Sequence, residues 1–121
     1  MRLVLLDKSA YVRAAHAPAD DDELCLCAIT RLELLYSARS VAGYRQLEED
    51  LSLFRDLRMD VATFAIAVVA QRELAATGQQ RVPIPDLLIA ACAQQHGAYV
   101  LHVDRHFQVL AGVLAFTPLR A

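Results

Sequence analysis

Two apolar runs in this sequence stop on a carboxylate: "RLVLLD" (2–7) ends at Asp7 and "YVLHVD" (99–104) ends at Asp104. Two further acids stand at marked places. Asp86 follows the stiff Pro-Ile-Pro segment 83–85 at the opening of a helical stretch. Glu33 closes "TRLE" (30–33) in the first turn of another, with Ile29 and Tyr36 about one turn away, so it borders apolar surface. If the four met within ~5 Å, each ionised pair would repel by roughly 3 kcal/mol at an effective dielectric near 20. Either some protons stay on or a cation fills the middle. An all-oxygen carboxylate set suits Mg²⁺ or Mn²⁺, not zinc. Such an ion binds a phosphate oxygen and acidifies a water, which is the apparatus of metal-assisted phosphodiester hydrolysis.

Taken singly, each residue also has a structural explanation. Asp86 fits a helix N-cap. Glu33 fits the back-bonding member of a capping box begun by Thr30. Asp7 and Asp104 fit turn residues after strands, and Ser9 fits the cap of a short helix "AYVRAAH" (10–16). His16, His96, His102 and His106 lack metal-ligand spacing and read as structural or solvated.

The elements that must position these groups follow from periodicity. "RLVLL" (2–6), "LCLCA" (24–28), "YVLHV" (99–103) and "LAFTPL" (114–119) read as strands, and "LRMDV" (57–61) as a short one. The capping box at Thr30 opens a helix, and "AGYRQLEEDLSLF" (42–54) forms another with one apolar stripe. "ATFAIAVVAQRELAATG" (62–78) reads as a long helix that Gly78 ends, apolar nearly all round in its first half. Its stretch "FAIAVVA" (64–70) is expected to serve both the core and a dimer face. "DLLIAACAQQHG" (86–97) is a helix ended by Gly97, and "DRHFQVLAG" (104–112) a turn with a short helix. Strands alternating with helices imply an α/β fold, a mostly parallel sheet with helices on its faces. In such sheets ligands bind beyond the carboxyl ends of the strands, where Asp7 and Asp104 stand.

The 121 residues suit a single domain, 1–121, and a hydrophobic content of 56% argues against disorder. The net charge of −2 argues against a protein that coats nucleic acid by charge alone, though not against a nuclease that grips its substrate at one cleft. All basic residues but Lys8 are Arg, which suits bidentate phosphate contacts. Three cysteines, Cys25, Cys27 and Cys92, form no disulfide framework and point to a reducing compartment. Cys25 and Cys27 read as small apolar side chains on one strand face, and the acidic run in "APADDDE" (17–23) as a solvated loop. With neither a leader-like segment nor an apolar run of membrane-spanning length, the expected location is cytoplasmic, with no membrane contact.

The order and wording of these segments resemble the PIN domain, and within it the VapC toxins of bacterial toxin–antitoxin pairs. The resemblance covers nearly the whole chain. It runs through "LVLLDKSAYV", where Ser9 follows Asp7 by two residues, through "AITRLELLYSAR", and above all through "VPIPDLLIAACAQQHGAYVLHVDRHF". It implies a three-layer α/β/α fold with four to five strands. It also implies an Mg²⁺- or Mn²⁺-dependent ribonuclease with Asp7, Glu33, Asp86 and Asp104 as its acidic site, supported by Ser9. The partners it implies are structured RNA such as tRNA or rRNA, a cognate VapB-like antitoxin, and a second copy in a homodimer. Arg105 at the rim is a candidate contact to the RNA backbone. Three positions depart from the family pattern: His106 and Gln108 stand where relatives often carry acids, which weakens the case for a second metal, and Lys8 stands where Thr is common. Lys8 reads as a tolerated variant, able to pair with a carboxylate or a substrate phosphate. The alternative reading is a PIN-like interaction module with weak or no catalysis.

Overall fold

The strands alternate their buried side chains between two cores, and that alternation builds the layers. The structure is a computed structural model that describes residues 1–12 and 19–121. In chain order its elements are β1 (Leu3–Leu6), α1 (Lys8–Val12), β2 (Glu23–Leu26), α2 (Ala28–Tyr36), α3 (Val41–Leu51), β3 (Arg55–Asp56), α4 (Val61–Ala75), α5 (Ile84–His96), β4 (Tyr99–His102), α6 (His106–Leu110) and β5 (Thr117–Arg120). Leu5, Cys25 and Val100 face a core completed by α4, α5 and α6. Val4, Leu6, Leu26 and Leu101 face the opposite core, completed by α1, α2 and α3. Side chains one residue apart on a strand point to opposite faces, so a sheet covered on both faces needs continuous apolar runs. The result is three layers, α/β/α.

The sheet has five strands in the order β3-β2-β1-β4-β5. Every pairing is parallel, so the expected "mostly parallel" sheet is wholly so. The chain leaves β1 for β2 on one side and reaches β4 on the other. The carboxyl ends of β1 and β4 therefore flank the switch point of the topology, where an open parallel sheet leaves a crevice.

Several boundaries differ from the sequence reading. The α2 helix begins two residues before Thr30, with Cys27 at its N-cap, so Thr30 caps nothing and Glu33 is not in the first turn. The Thr30 hydroxyl is fully buried and donates to the carbonyl of Leu6 at 3.0 Å. A buried strand-end carbonyl needs a partner, and this bond ties α2 to the end of β1. The third strand is Arg55–Asp56, ahead of the expected 57–61, where Asp60 instead forms a capping box for α4 with Thr63. Asp22, read as solvated, is held bidentately by Arg2 at 2.8 and 2.7 Å with its side chain wholly covered. Arg2 also lies over the Tyr99 ring at 4.5 Å. The rest of the expected helix 10–16 beyond Val12, His16, and the start of the 17–23 loop fall outside the described residues. Gly97 ends α5 with φ at 66°, the left-handed conformation that glycine adopts without a side-chain penalty. All three cysteines are buried and free.

Because the Thr30 hydroxyl is the partner of a buried carbonyl, Thr30→Val is expected to lower the unfolding free energy by about 1–2 kcal/mol. Urea denaturation monitored by far-ultraviolet circular dichroism measures this; a midpoint unchanged from the parent would show that the bond contributes nothing.

Candidate active site

Asp7 ends β1 because its N–H still joins the ladder, donating to Leu101 O at 3.0 Å, while its side chain already turns to the first helix. Its Oδ2 accepts from the Ser9 N–H at 3.0 Å and from the Ser9 hydroxyl at 2.5 Å. That hydroxyl in turn accepts from the Val103 N–H at 3.1 Å. Ser9 therefore does not cap a helix; Asp7 does. Ser9 instead bridges Asp7 to the segment that leaves β4, fixing one strand end against the other.

The other side of the crevice is built by β4 and α6. Fully buried His102 accepts the Asp104 N–H at Nδ1, at 3.1 Å, and its ring packs on Phe107 with centroids 5.1 Å apart. An accepting Nδ1 places the proton on Nε2, which has no hydrogen-bond partner among the described residues. Burial lowers the His102 pKa below its ordinary value, in keeping with that neutral form. Asp104 Oδ1 then accepts the His106 N–H at 3.0 Å. His106 turns its ring back into the site, its Nδ1 lying 2.8 Å from Asp104 Oδ1 and 2.9 Å from Asp86 Oδ2.

Asp86 is the third residue of α5, which starts at Ile84 with Pro83 as its N-cap, so Asp86 is not the cap. It sits in the first turn with little solvent access, 9%. Its pKa is pushed up to about 6, first by burial, then by the charges of Asp7 and Asp104, with His106 opposing. The helix end favours the ionised form by about 0.3–1 kcal/mol. A shift of this size represents on the order of 2–3 kcal/mol in the other direction, so burial and like charge outweigh the dipole. Asp86 remains mostly ionised at neutral pH, but by a narrow margin.

Glu33, the sixth residue of α2, is half-buried. Burial raises its pKa; the nearby charge of Lys8 opposes that and the charge of Asp7 adds to it. Lys8 and Arg105 are exposed. Asp7, Asp86 and Asp104 thus share one electrostatic neighbourhood, and Glu33 flanks it on the Asp7 side. Donor atoms of Asp86, Asp104 and His106 lie within 4.8 Å of one another, close enough to share a cation. Crowded carboxylates, one with a raised pKa, suit a hard divalent ion. Sequence reasoning missed His106 as a member of this cluster and His102 as the acceptor that sets the Asp104 backbone. Only the position of His106, two residues after a strand-end Asp, could have signalled the first. A groove of about 390 Å³ lined by residues including Ile66, Val69 and Leu114 shares no residue with the cluster.

Comparison with known proteins places these features in context. The family model of the PIN domain matches residues 3–113. The chain is 41% identical over 116 residues to a protein of Mycobacterium tuberculosis named ribonuclease VapC17, covering 90% of this chain and 87% of that one. It is 38% identical over 108 residues to ribonuclease VapC51 of the same organism, covering 89% and 79%. Among solved structures, a chain of the toxin–antitoxin complex VapBC-5 of Mycobacterium tuberculosis superposes with a TM-score of 0.77 over all of both chains at 24% identity, which is a likeness of fold.

The raised pKa of Asp86 fixes the sign of a pH effect. Between its ordinary value of 3.8 and about 6 the folded protein holds the proton more tightly than the unfolded chain. This contribution to stability therefore falls as pH rises through that window, and the full cost stands above it. Asp86→Asn is expected to raise the stability of metal-free protein at pH 7 by roughly 1–3 kcal/mol and to change little near pH 4. Thermal melts in EDTA at both pH values check this; a variant less stable than the parent at pH 7 would refute the charge-crowding account.

Proposed function

Because the chain belongs to the PIN-domain family, and within it to the VapC group, we propose that it is a metal-dependent endoribonuclease toxin that hydrolyses phosphodiester bonds in structured RNA such as tRNA or rRNA. The observation that supports this reading is the approach of Asp86, Asp104 and His106 donor atoms to within 4.8 Å of one another in the first turn of α5 and after β4, with the charge of Asp7 near enough to raise the Asp86 pKa. Asp7, Asp86 and Asp104, with Glu33, would hold Mg²⁺ or Mn²⁺. When bound, such an ion supplies Lewis-acid stabilisation of charge at the phosphate and a more acidic water. Ser9 keeps Asp7 in place through its two bonds to Oδ2. Half-buried Glu33, flanking the cluster on the Asp7 side, positions or deprotonates the attacking water, or helps hold a second ion. Water attacks in preference to the ribose 2′-hydroxyl, so the product carries a 5′-phosphate. Exposed Lys8 and Arg105 stand where they can meet the RNA backbone.

The relatives supply the partner reading. Structural neighbours are toxin–antitoxin complexes, which supports a VapB-like antitoxin that neutralises this chain in the cytoplasm. A homodimer is supported by α4, which buries Thr63, Ala67, Ala70 and Leu74 but leaves Val61, Phe64, Val68 and Val69 largely exposed. The whole chain, 1–121, acts as one domain. Among the described residues no helix is long and apolar enough to cross a membrane. One observation favours a catalytically silent interaction module instead: the His106 ring, not a further acid, stands against Asp86 and Asp104.

Purified protein with Mg²⁺ or Mn²⁺ is expected to cut RNA to 5′-phosphate ends, and Asp7→Asn and Asp104→Asn each to slow cleavage by about 10²-fold or more. EDTA should abolish it. Mapping of new 5′ ends in total RNA reads the outcome; cleavage unchanged in both variants would overturn the site, and no cleavage by the parent would favour the silent module. Sedimentation should show a dimer at micromolar concentration that Phe64→Asp weakens, and a parent that stays monomeric there would overturn the dimer.

A further inference from the structure

We infer that His106 is a direct nitrogen ligand of the bound ion, which makes this a mixed imidazole–carboxylate centre that favours Mn²⁺ over Mg²⁺. The inference rests on the proposed metal site and concerns which atoms complete it. One Nδ1 atom faces two carboxylate oxygens, at 2.9 Å from Asp86 and 2.8 Å from Asp104. A ring nitrogen carries at most one proton, and one N–H points well at only one acceptor. The second contact would then be poorly aligned in any protonation state. A cation held by the three atoms, which lie within 4.8 Å of one another, would give each of them a positive partner. The two nitrogen–oxygen separations, 2.9 and 2.8 Å, are close to the about 3.0 Å between adjacent ligands of an octahedral ion with bonds near 2.1 Å.

The ring is also held for this task. The His106 N–H donates to Asp104 Oδ1, so the backbone turn that places the carboxylate places the imidazole beside it. About a third of the His106 side chain is open to solvent, which leaves a path for an ion to reach it. An imidazole nitrogen is a softer donor than a carboxylate oxygen and binds transition ions in preference to Mg²⁺. A carboxylate at position 106 would supply one more hard oxygen and remove that preference.

The test reads the ligand itself. Electron spin-echo envelope modulation of the Mn²⁺-loaded protein is expected to show coupling to a coordinated imidazole nitrogen, and His106→Ala to remove it. Calorimetry with Mn²⁺ and Mg²⁺ should show the ratio of the two affinities falling about tenfold in His106→Asp. Mn²⁺ binding that is lost in Asp104→Asn, yet carries no nitrogen coupling in the parent protein, would overturn the role of His106 and leave the acidic site standing. Coupling that persists unchanged in His106→Ala would do the same. A parent protein that binds no Mn²⁺ at all would overturn the inference and the metal-dependent reading together.

Discussion

Mutual repulsion among carboxylates at the carboxyl ends of β1 and β4 is the constraint around which the surrounding contacts are arranged. Left to solvent, Asp7, Asp86 and Asp104 would separate, since each charge raises the cost of ionising the next. The fold prevents this by attaching each to a different rigid element. Asp7 is fixed by its ladder bond and by Ser9, Asp86 by the first turn of α5, and Asp104 by the turn between β4 and α6. None of these anchors depends on the other acids, so the cluster survives the repulsion within it.

Two buried polar groups carry much of that anchoring. Thr30 fastens α2, and with it Glu33, to the last carbonyl of β1. His102 accepts the Asp104 N–H from inside the core, leaving its own Nε2 without a partner among the described residues. An unmatched buried donor costs about 1–3 kcal/mol, and packing against Phe107, itself fully buried, offsets part of it. An apolar residue at 102 would avoid that cost but leave the Asp104 backbone without its acceptor. The loss of stability here serves the placement of a carboxylate.

Much of this was legible in the sequence, and the reasons differ by element. Apolar runs stopping on Asp7 and Asp104 announced parallel strands with acids at their carboxyl ends, because a strand covered on both faces cannot hold an ionised side chain mid-run. Gly97 marked the end of α5, where only a left-handed residue closes the helix. The misreadings share a cause. Thr30 and Ser9 carry the residue types of helix caps, and local chemistry alone cannot say that their hydroxyls reach across the fold to Leu6 and Val103. Asp22 looked like one of a row of solvated acids, but its partner Arg2 is twenty residues away. His106 was read only as a missing acid for the same reason: its significance lies in its distance to Asp86, and that distance is set by how α5 and α6 meet.

The energetic scale of the cluster explains how a chain of this size can keep it. The cost of ionising Asp86 is on the order of 2–3 kcal/mol, about what complete burial of one large apolar side chain contributes. Leu5, Ile89, Val100 and Phe107 are each wholly buried in the core on the α4–α6 side, so the fold has several such contributions to set against it. With domain stabilities near 5–15 kcal/mol, the loss is tolerable but not negligible. It is also reversible. Any cation that binds among Asp7, Asp86 and Asp104 removes the repulsion and stabilises the fold by mass action, in proportion to the logarithm of its concentration over its dissociation constant. Ion binding and folding stability are therefore linked through the same carboxylates, in opposite senses: the charge of Asp86 that destabilises the metal-free fold is the charge a bound cation would neutralise.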